Sequence, residues 1–223
     1  LDAALEAGHL TALAISASSY TTGRHVTYYQ AASDIPSWTR VQRISLQQQI
    51  GVDHLLASSA IPLIFPAVPL YCNDRCEYFG DGSLREVAPI SPAIHLGAEK
   101  VLVIGAGRTS DKAQRQRSST YPTLAQIAGH AMSSIFLDAL AVDIERLQRV
   151  NRTLELLTPE QRAMTPLRPV DILVIAPSQR IDDIAARHLW ALPPAVRAML
   201  RAVGVYGRGK TARGTALASY LLF

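Results

Sequence analysis

The 223-residue chain has little cysteine: Cys72 and Cys76 alone, within YCNDRCEY. A disulfide-built scaffold is therefore excluded, and the short segment offers too few ligands for a metal site. Charge is sparse at 18% of residues, against 48% hydrophobic, which excludes a disordered tail and allows a sizeable core. The net charge of +4 is a mild excess; without zinc-finger spacing or an RNA-binding signature, it does not argue for nucleic acid. Long apolar runs are also missing. The most apolar stretch, AIPLIFPAVPLY, is broken by Pro62, Pro66 and Pro69 and is too short to cross a bilayer. No signal peptide is visible, but the chain opens on Leu1, inside a helical pattern, and ends abruptly on SYLLF, so it reads as a piece of a longer protein.

What is present reads as alternating strands and helices. Leu10–Tyr20 is an apolar strand, TTGR a turn and His25–Gln30 a second strand, together a hairpin. Ser33–Trp38 reads as a loop. Gln49–Ser58 has helical spacing with Ile50, Leu55 and Leu56 on one side. The Pro-rich run ends in a short strand, and Asn73-Asp74 marks a hairpin tip that would bring the two thiols close, as a reduced pair or, alternatively, a bridge. Ser91-Pro92 is a helix start and Gly97 a helix stop. Lys100–Ile104 is a continuous apolar strand of the kind a sheet covers on both faces. A polar, basic loop follows over Arg108–Ser119. Thr123–Leu157 carries a helical pattern through Leu147, Val150, Leu154 and Leu157; Val170–Ala176 is a strand; helices close the chain at Pro194–Val203 and Lys210–Phe223. With no repeat or linker, residues 1–223 read as one α/β domain.

Two segments invite a chemical reading. In VLVIGAGRTS a strand runs into Gly105-Ala106-Gly107, but Ser110 stands where a dinucleotide fingerprint needs its third glycine. The following DKAQRQRSS has no apolar helical face, so the nucleotide reading is rejected. The six histidines show no metal-ligand spacing. The second segment is the Asp81-Gly82 turn in YFGDGSLREVAPISPAIHLGA, Tyr78–Ala98. Asp-Gly is among the commonest turn dipeptides, so a structural role is the ordinary expectation. Three features raise Asp81 above it. An apolar EYFG precedes it, Gly82 permits a positive φ and close approach of another group, and it stands at a strand-to-helix junction, where open α/β sheets build their sites.

Taken with Ala57–Val68, ASSAIPLIFPAV, this stretch resembles the patatin-like phospholipase family. The matching parts are Ala57-Ser58-Ser59-Ala60-Ile61-Pro62, Phe65-Pro66, Asp81-Gly82, Pro89, Ala93-Ile94, Gly97-Ala98 and Val101–Ile104, with Thr22-Gly23 before the second strand. The resemblance covers roughly Leu10 to Ile104 and is weak beyond it. Two positions depart from the family pattern: Ser83 stands in place of Gly or Ala after Asp-Gly, and Val87 in place of an Asn before the Pro.

The resemblance implies a three-layer α/β/α sandwich of patatin-like type, incomplete in this chain, and a lipid acyl hydrolase with a Ser–Asp dyad. Asp81 is then the general base. The nucleophile belongs on a G-x-S-x-G elbow, which these residues lack, so it would come from a missing N-terminal segment of the same protein. The chain alone is expected to be inactive and not to fold stably, because that segment would supply central strands. An unperturbed Asp has a pKa of about 3.9, low for a base at neutral pH; an apolar wall at Tyr78 and Phe79 is expected to raise it. The substrate is a lipid or similar ester, and no cofactor or metal is implied. A non-catalytic patatin-like binding or regulatory module, with Asp81 a turn residue, is the competing expectation. The basic helix Pro193–Val203 sets Val196, Met199, Leu200 and Val203 against Arg197 and Arg201. That suits an ordinary core-packed helix or peripheral membrane contact. Cysteine usage and the resemblance together point to a bacterial cytoplasm or inner-membrane surface.

Overall fold

In the computed structural model, residues 1–62, 65–72, 74–86, 88–105, 127, 139–179, 184 and 187–202 are described. The chain divides into two compact units, Leu1–Val101 with Asp143–Asp171 and Leu102–Val142 with Ile172–Phe223. In chain order the described elements are α1 (Asp2–Glu6), β1 (Ala12–Ser19), β2 (His25–Ala31), β3 (Thr39–Arg40), β4 (Arg43–Gln47), α2 (Val52–Ser58), β5 (Val68–Cys72), β6 (Arg75–Asp81), α3 (Ser91–His95), β7 (Lys100–Ile104), α4 (Ala139–Glu155), α5 (Pro159–Ala163), β8 (Asp171–Ile175) and α6 (Pro194–Ala202). Helices and strands are interleaved around a mixed sheet, an α/β architecture.

The sheet of the first unit has the order β3-β4-β2-β1-β6-β5. β1 pairs antiparallel with β2 and β6, and β4 lies parallel to β2. Successive strand residues point to opposite faces, and two adjacent tyrosines show what covers each. Tyr28 turns to α2, its ring 4.8 Å from that of His54. Tyr29 turns the other way onto Trp38, at 5.1 Å, which stacks in turn on His95 of α3 at 4.6 Å. One helix thus lies on each face. The core on the α2 side gathers Ala17, Val26, Tyr28, Ala57, Leu70, Cys72 and Phe79.

Strands β1, β2, β5 and β6 fall where the apolar runs place them. Gly97 ends the α3 turn at φ 101°, a left-handed conformation suited to glycine. Other expectations are corrected. The run after Trp38, for which the sequence predicts no element, carries the two-residue β3 and the short β4, in which Ile44 and Leu46 alternate with Arg43, Ser45 and Gln47. Leu55 and Leu56 of α2 are exposed, and His54 and Ala57 are the residues it buries. Polar His54 displaces the expected apolar face because Gly51 N–H donates to its Nδ1 at 3.0 Å and its Nε2 lies 2.6 Å from Gln48, which satisfies the buried ring. Cys72 and Cys76 are both free; one is buried and the other exposed, because they stand on opposite faces of the β5–β6 hairpin.

β7 and β8 form a separate two-stranded sheet. Asp171 N–H bonds to the Glu99 carbonyl and Gly105 N–H to that of Ile175, so the strands run parallel. Leu102, Ile104, Leu173 and Ile175 are exposed, unlike the doubly covered strand expected for Lys100–Ile104. Residues 106–126 and 203–223 lie outside the described residues, and with them the Arg108–Ser119 loop and the closing Lys210–Phe223 helix. Among the described residues no helix is long and apolar enough to cross a membrane.

Candidate functional site

Asp81 is the last residue of β6, in register with Ala17 of β1. Its backbone N–H donates to the Ala60 carbonyl at 3.0 Å, which ties the turn to the chain that follows α2. The residue is 9% exposed. Oδ1 accepts two hydrogen bonds from Ser83, from the backbone N–H at 2.8 Å and from Oγ at 2.6 Å. Asp81 thereby caps the 3-10 turn Gly82–Arg85. Among the described residues Oδ2 accepts no hydrogen bond. One oxygen of the carboxylate thus holds the loop, and the other is left without a hydrogen bond among the described residues.

Gly82 has no left-handed φ, so the expectation of a positive φ is corrected. Its requirement is space: a Cβ there would stand 2.5 Å from the Ser16 carbonyl oxygen. That oxygen belongs to β1 main chain and cannot swing away, so the anticipated close approach is real and its partner is the neighbouring strand.

Beyond the turn the chain leaves the sheet, and past Gly82 no described strand pairs with β1 on that side. β6 pairs only with Ala17, Ser18 and Ser19. Ser19 N–H bonds toward β2, to Arg24, and Tyr20 N–H toward β6, to Tyr78. Alternation along an antiparallel strand then aims the main-chain groups of Ala12, Ala14 and Ser16 away from β2. No described strand meets them. A groove of about 1020 Å³ runs along this open edge, bounded by Thr11–Ser16, by Leu55 and Ser59 at α2 and by Pro92 and Leu96 at α3. Asp81 does not line it. Its register partner is the residue next to Ser16, so it stands at the groove's end, where β6 stops.

A second cluster lies just past the turn. Glu86 Oε1 is 3.7 Å from Nε2 of His25, with side chains 19% and 3% exposed. Burial, followed by the charges of Asp143 and Asp81, pushes the Glu86 carboxyl up to about 7, with Arg43 opposing. Burial holds His25 down at about 4, with the Gly82 carbonyl opposing and Arg43 assisting. The contact is therefore no ion pair at neutral pH, and 3.7 Å is too long for a direct hydrogen bond. Among the described residues, His25 Nδ1 is buried without a hydrogen-bond partner. Asp143 of α4 accepts the Ile90 N–H at 3.0 Å and is raised mainly by burial.

Of the expected apolar wall, Phe79 is fully buried, while Tyr78 is 56% exposed and turned outward. Strand alternation explains the difference, because Phe79 and Asp81 share a face that Tyr78 does not. Sequence reasoning missed the hydroxyl of Ser83 as a partner of Asp81, although a hydroxyl two residues after an Asp is a known local donor. It also missed Glu86, His25 and Asp143, whose meeting is fixed by tertiary structure and leaves no mark in spacing. Among the described residues no group of histidines, cysteines and carboxylates is arranged to hold a metal ion. No protein-family model, no curated protein and no solved structure matches this chain.

Proposed function

We propose that this chain is the Asp-bearing portion of a patatin-like lipid acyl hydrolase, with Asp81 as general base of a Ser–Asp dyad. The observation that carries the reading is the position of Asp81, buried, with one oxygen free, where β6 ends and the edge of β1 lies open. A three-layer sandwich missing one strand beside β1 has this form, with α2 and α3 covering the two faces of the gap. A strand from a segment outside these residues would pair with Ala12–Ser16 and deliver a serine beside Asp81.

The serine Oγ attacks the ester carbonyl as its proton passes to Oδ2 of Asp81, forming a C–O bond and a tetrahedral oxyanion. Collapse breaks the bond to the leaving alcohol, which takes the proton back from Asp81. Water then repeats the sequence on the acyl-enzyme, Asp81 receiving its proton and returning it to the serine as the free acid departs. Ser83 keeps the carboxylate oriented through Oδ1 and leaves Oδ2 as the base. α6 is the proposed contact with a lipid surface.

A second reading has its own support. Both Ser83 donors fall on Asp81, which suffices for a turn residue in a non-catalytic binding or regulatory module. Release of fatty acid from phosphatidylcholine vesicles by the full-length protein separates the two. Hydrolysis that Asp81→Asn abolishes supports the dyad, and no hydrolysis by the intact protein supports the module.

A further inference from the structure

We propose that the pocket between the β1–β2 turn, the β3–β4 turn and the 3-10 turn Gly82–Arg85 binds a phosphate ester, held by the guanidiniums of Arg43 and Arg85. The inference goes beyond the dyad and stands whether or not Asp81 is a base.

The pocket measures about 600 Å³, and Gln42, Arg43 and Arg85 line it together with the apolar Val41 and Leu84. Among the described residues no Asp or Glu lines it. Its walls are tied to one another. Ser18 Oγ donates to the Gly82 carbonyl at 3.2 Å, joining β1 to the 3-10 turn, and the His25 N–H donates to the Gln42 carbonyl at 2.9 Å, joining β2 to the β3–β4 turn. Arg85 lies over Gly23, where a Cβ would stand 3.4 Å from Nη2. Neither guanidinium forms an ion pair with a described carboxylate. Glu86 and Asp143 feel the charge of Arg43 but lie beyond ion-pair distance of it. Among the described residues the Arg43 side chain makes no hydrogen bond, and Arg85 makes one long bond, from Nη1 to Gln42 Oε1 at 3.4 Å. Gln42 itself holds a left-handed φ of 58°. A glycine would suit that backbone better. What the glutamine adds is an amide, whose Oε1 meets Arg85 and whose Nε2 is left to donate into the pocket.

Two unpaired guanidiniums on one pocket call for an anion, and their number selects its kind. A carboxylate is satisfied by the fork of a single arginine, whereas the terminal oxygens of a tetrahedral phosphate ester point in different directions and accept from two forks at once. The volume lies in the range of small-molecule sites and exceeds what a bare phosphate fills. The organic part of an ester fits the remainder, beside Val41 and Leu84.

Isothermal titration of the full-length protein with glycerol phosphate, and co-sedimentation with phosphatidylcholine vesicles with and without phosphatidic acid, test this. Saturable binding of glycerol phosphate identifies a soluble ester. Binding only to vesicles that carry phosphatidic acid identifies a lipid headgroup. In either case Arg85→Gln should weaken binding about ten- to a hundredfold, the worth of a hydrogen bond to a charged group. Arg85 is exposed, so that variant should fold. Arg75→Gln, exposed on the β5–β6 hairpin and outside the pocket, should leave binding unchanged. Gln42→Gly should weaken binding while the melting temperature holds or rises, an outcome that a merely structural glutamine would not give. The proposal is overturned by no saturable binding of either phosphate probe, by acetate binding as tightly as glycerol phosphate, or by losses in Arg85→Gln no greater than in Arg75→Gln. Binding is read without turnover, so a protein that hydrolyses no ester defeats the hydrolase reading and leaves this test intact.

Discussion

Two buried carboxylates stand on the same face of β6, Glu77 at 8% exposure and Asp81 at 9%, yet they differ in what lies beside them. Oε2 of Glu77 accepts the Ser19 hydroxyl at 2.5 Å and that of Thr22 at 3.0 Å, and the Thr22 N–H closes the turn on Ser19 Oγ. That carboxylate pins the β1–β2 turn through Oε2, and its residue pairs with Leu70 of β5. Asp81 has the same strand, the same face and similar burial. Its Oδ1 holds a turn as well; what differs is the neighbouring edge of β1, which no described strand meets. Burial alone therefore does not mark a functional acid. Each carboxylate keeps one oxygen without a hydrogen bond among the described residues, so it is the unfilled edge of β1 that distinguishes Asp81 from Glu77.

The sharpest way to break the comparison is to remove each charge in turn. Asp81→Asn is expected to lower ester turnover of the full-length protein by about 10²- to 10⁴-fold, the usual worth of a positioned base, with folding retained. Glu77→Gln should do the converse, costing about 1–2 kcal/mol of stability through its buried hydroxyl partners while turnover per folded molecule survives. Equal losses of turnover in the two variants would dissolve the distinction.

Gly82→Ala tests the close approach of β1 to the turn. Its Cβ meets a main-chain oxygen, so denaturant midpoints should report a loss of about 1–3 kcal/mol, as in overpacked cores. Gly80→Ala meets only the Tyr20 side chain and should cost less.

Stability against pH sharpens the account of the open end. Glu86 has a folded-state value of about 7 against an ordinary 4.5, so the folded state binds its proton more tightly than the unfolded chain. Its contribution is fully present below 4.5 and is lost as pH rises through 7. The loss is about 3 kcal/mol at most. Thermal melts of Glu86→Gln should show a shallower decline than the parent over this window. The smallest effect is expected at Tyr78→Ser, within about 0.5 kcal/mol, because that ring is exposed.

Much of this end of the molecule was legible in the sequence. The apolar runs that became β1, β2, β5 and β6 are strong signals, and Asp-Gly followed by Ser-Pro locates the turn and α3. The helical period of α2 was legible, but the face was not, because a polar ring with its own partners took the buried position that Leu55 and Leu56 were expected to fill. β3 escaped because it is a two-residue edge strand, and β4 because its alternating run, Arg43–Gln47, is only five residues long with two apolar side chains. At the site, Asp81 stood out through local chemistry. Glu86 did not, since its perturbation arises from burial and from the charges of Asp143 and Asp81, brought together only by folding.

Fluorophosphonate labelling of the intact full-length protein, followed by peptide mapping, tests the central claim most directly. The account predicts a label on one serine in a G-x-S-x-G peptide outside these 223 residues, formed much more slowly in Asp81→Asn. An intact, folded protein that takes no label, or one labelled as fast without the Asp81 carboxylate, would contradict it.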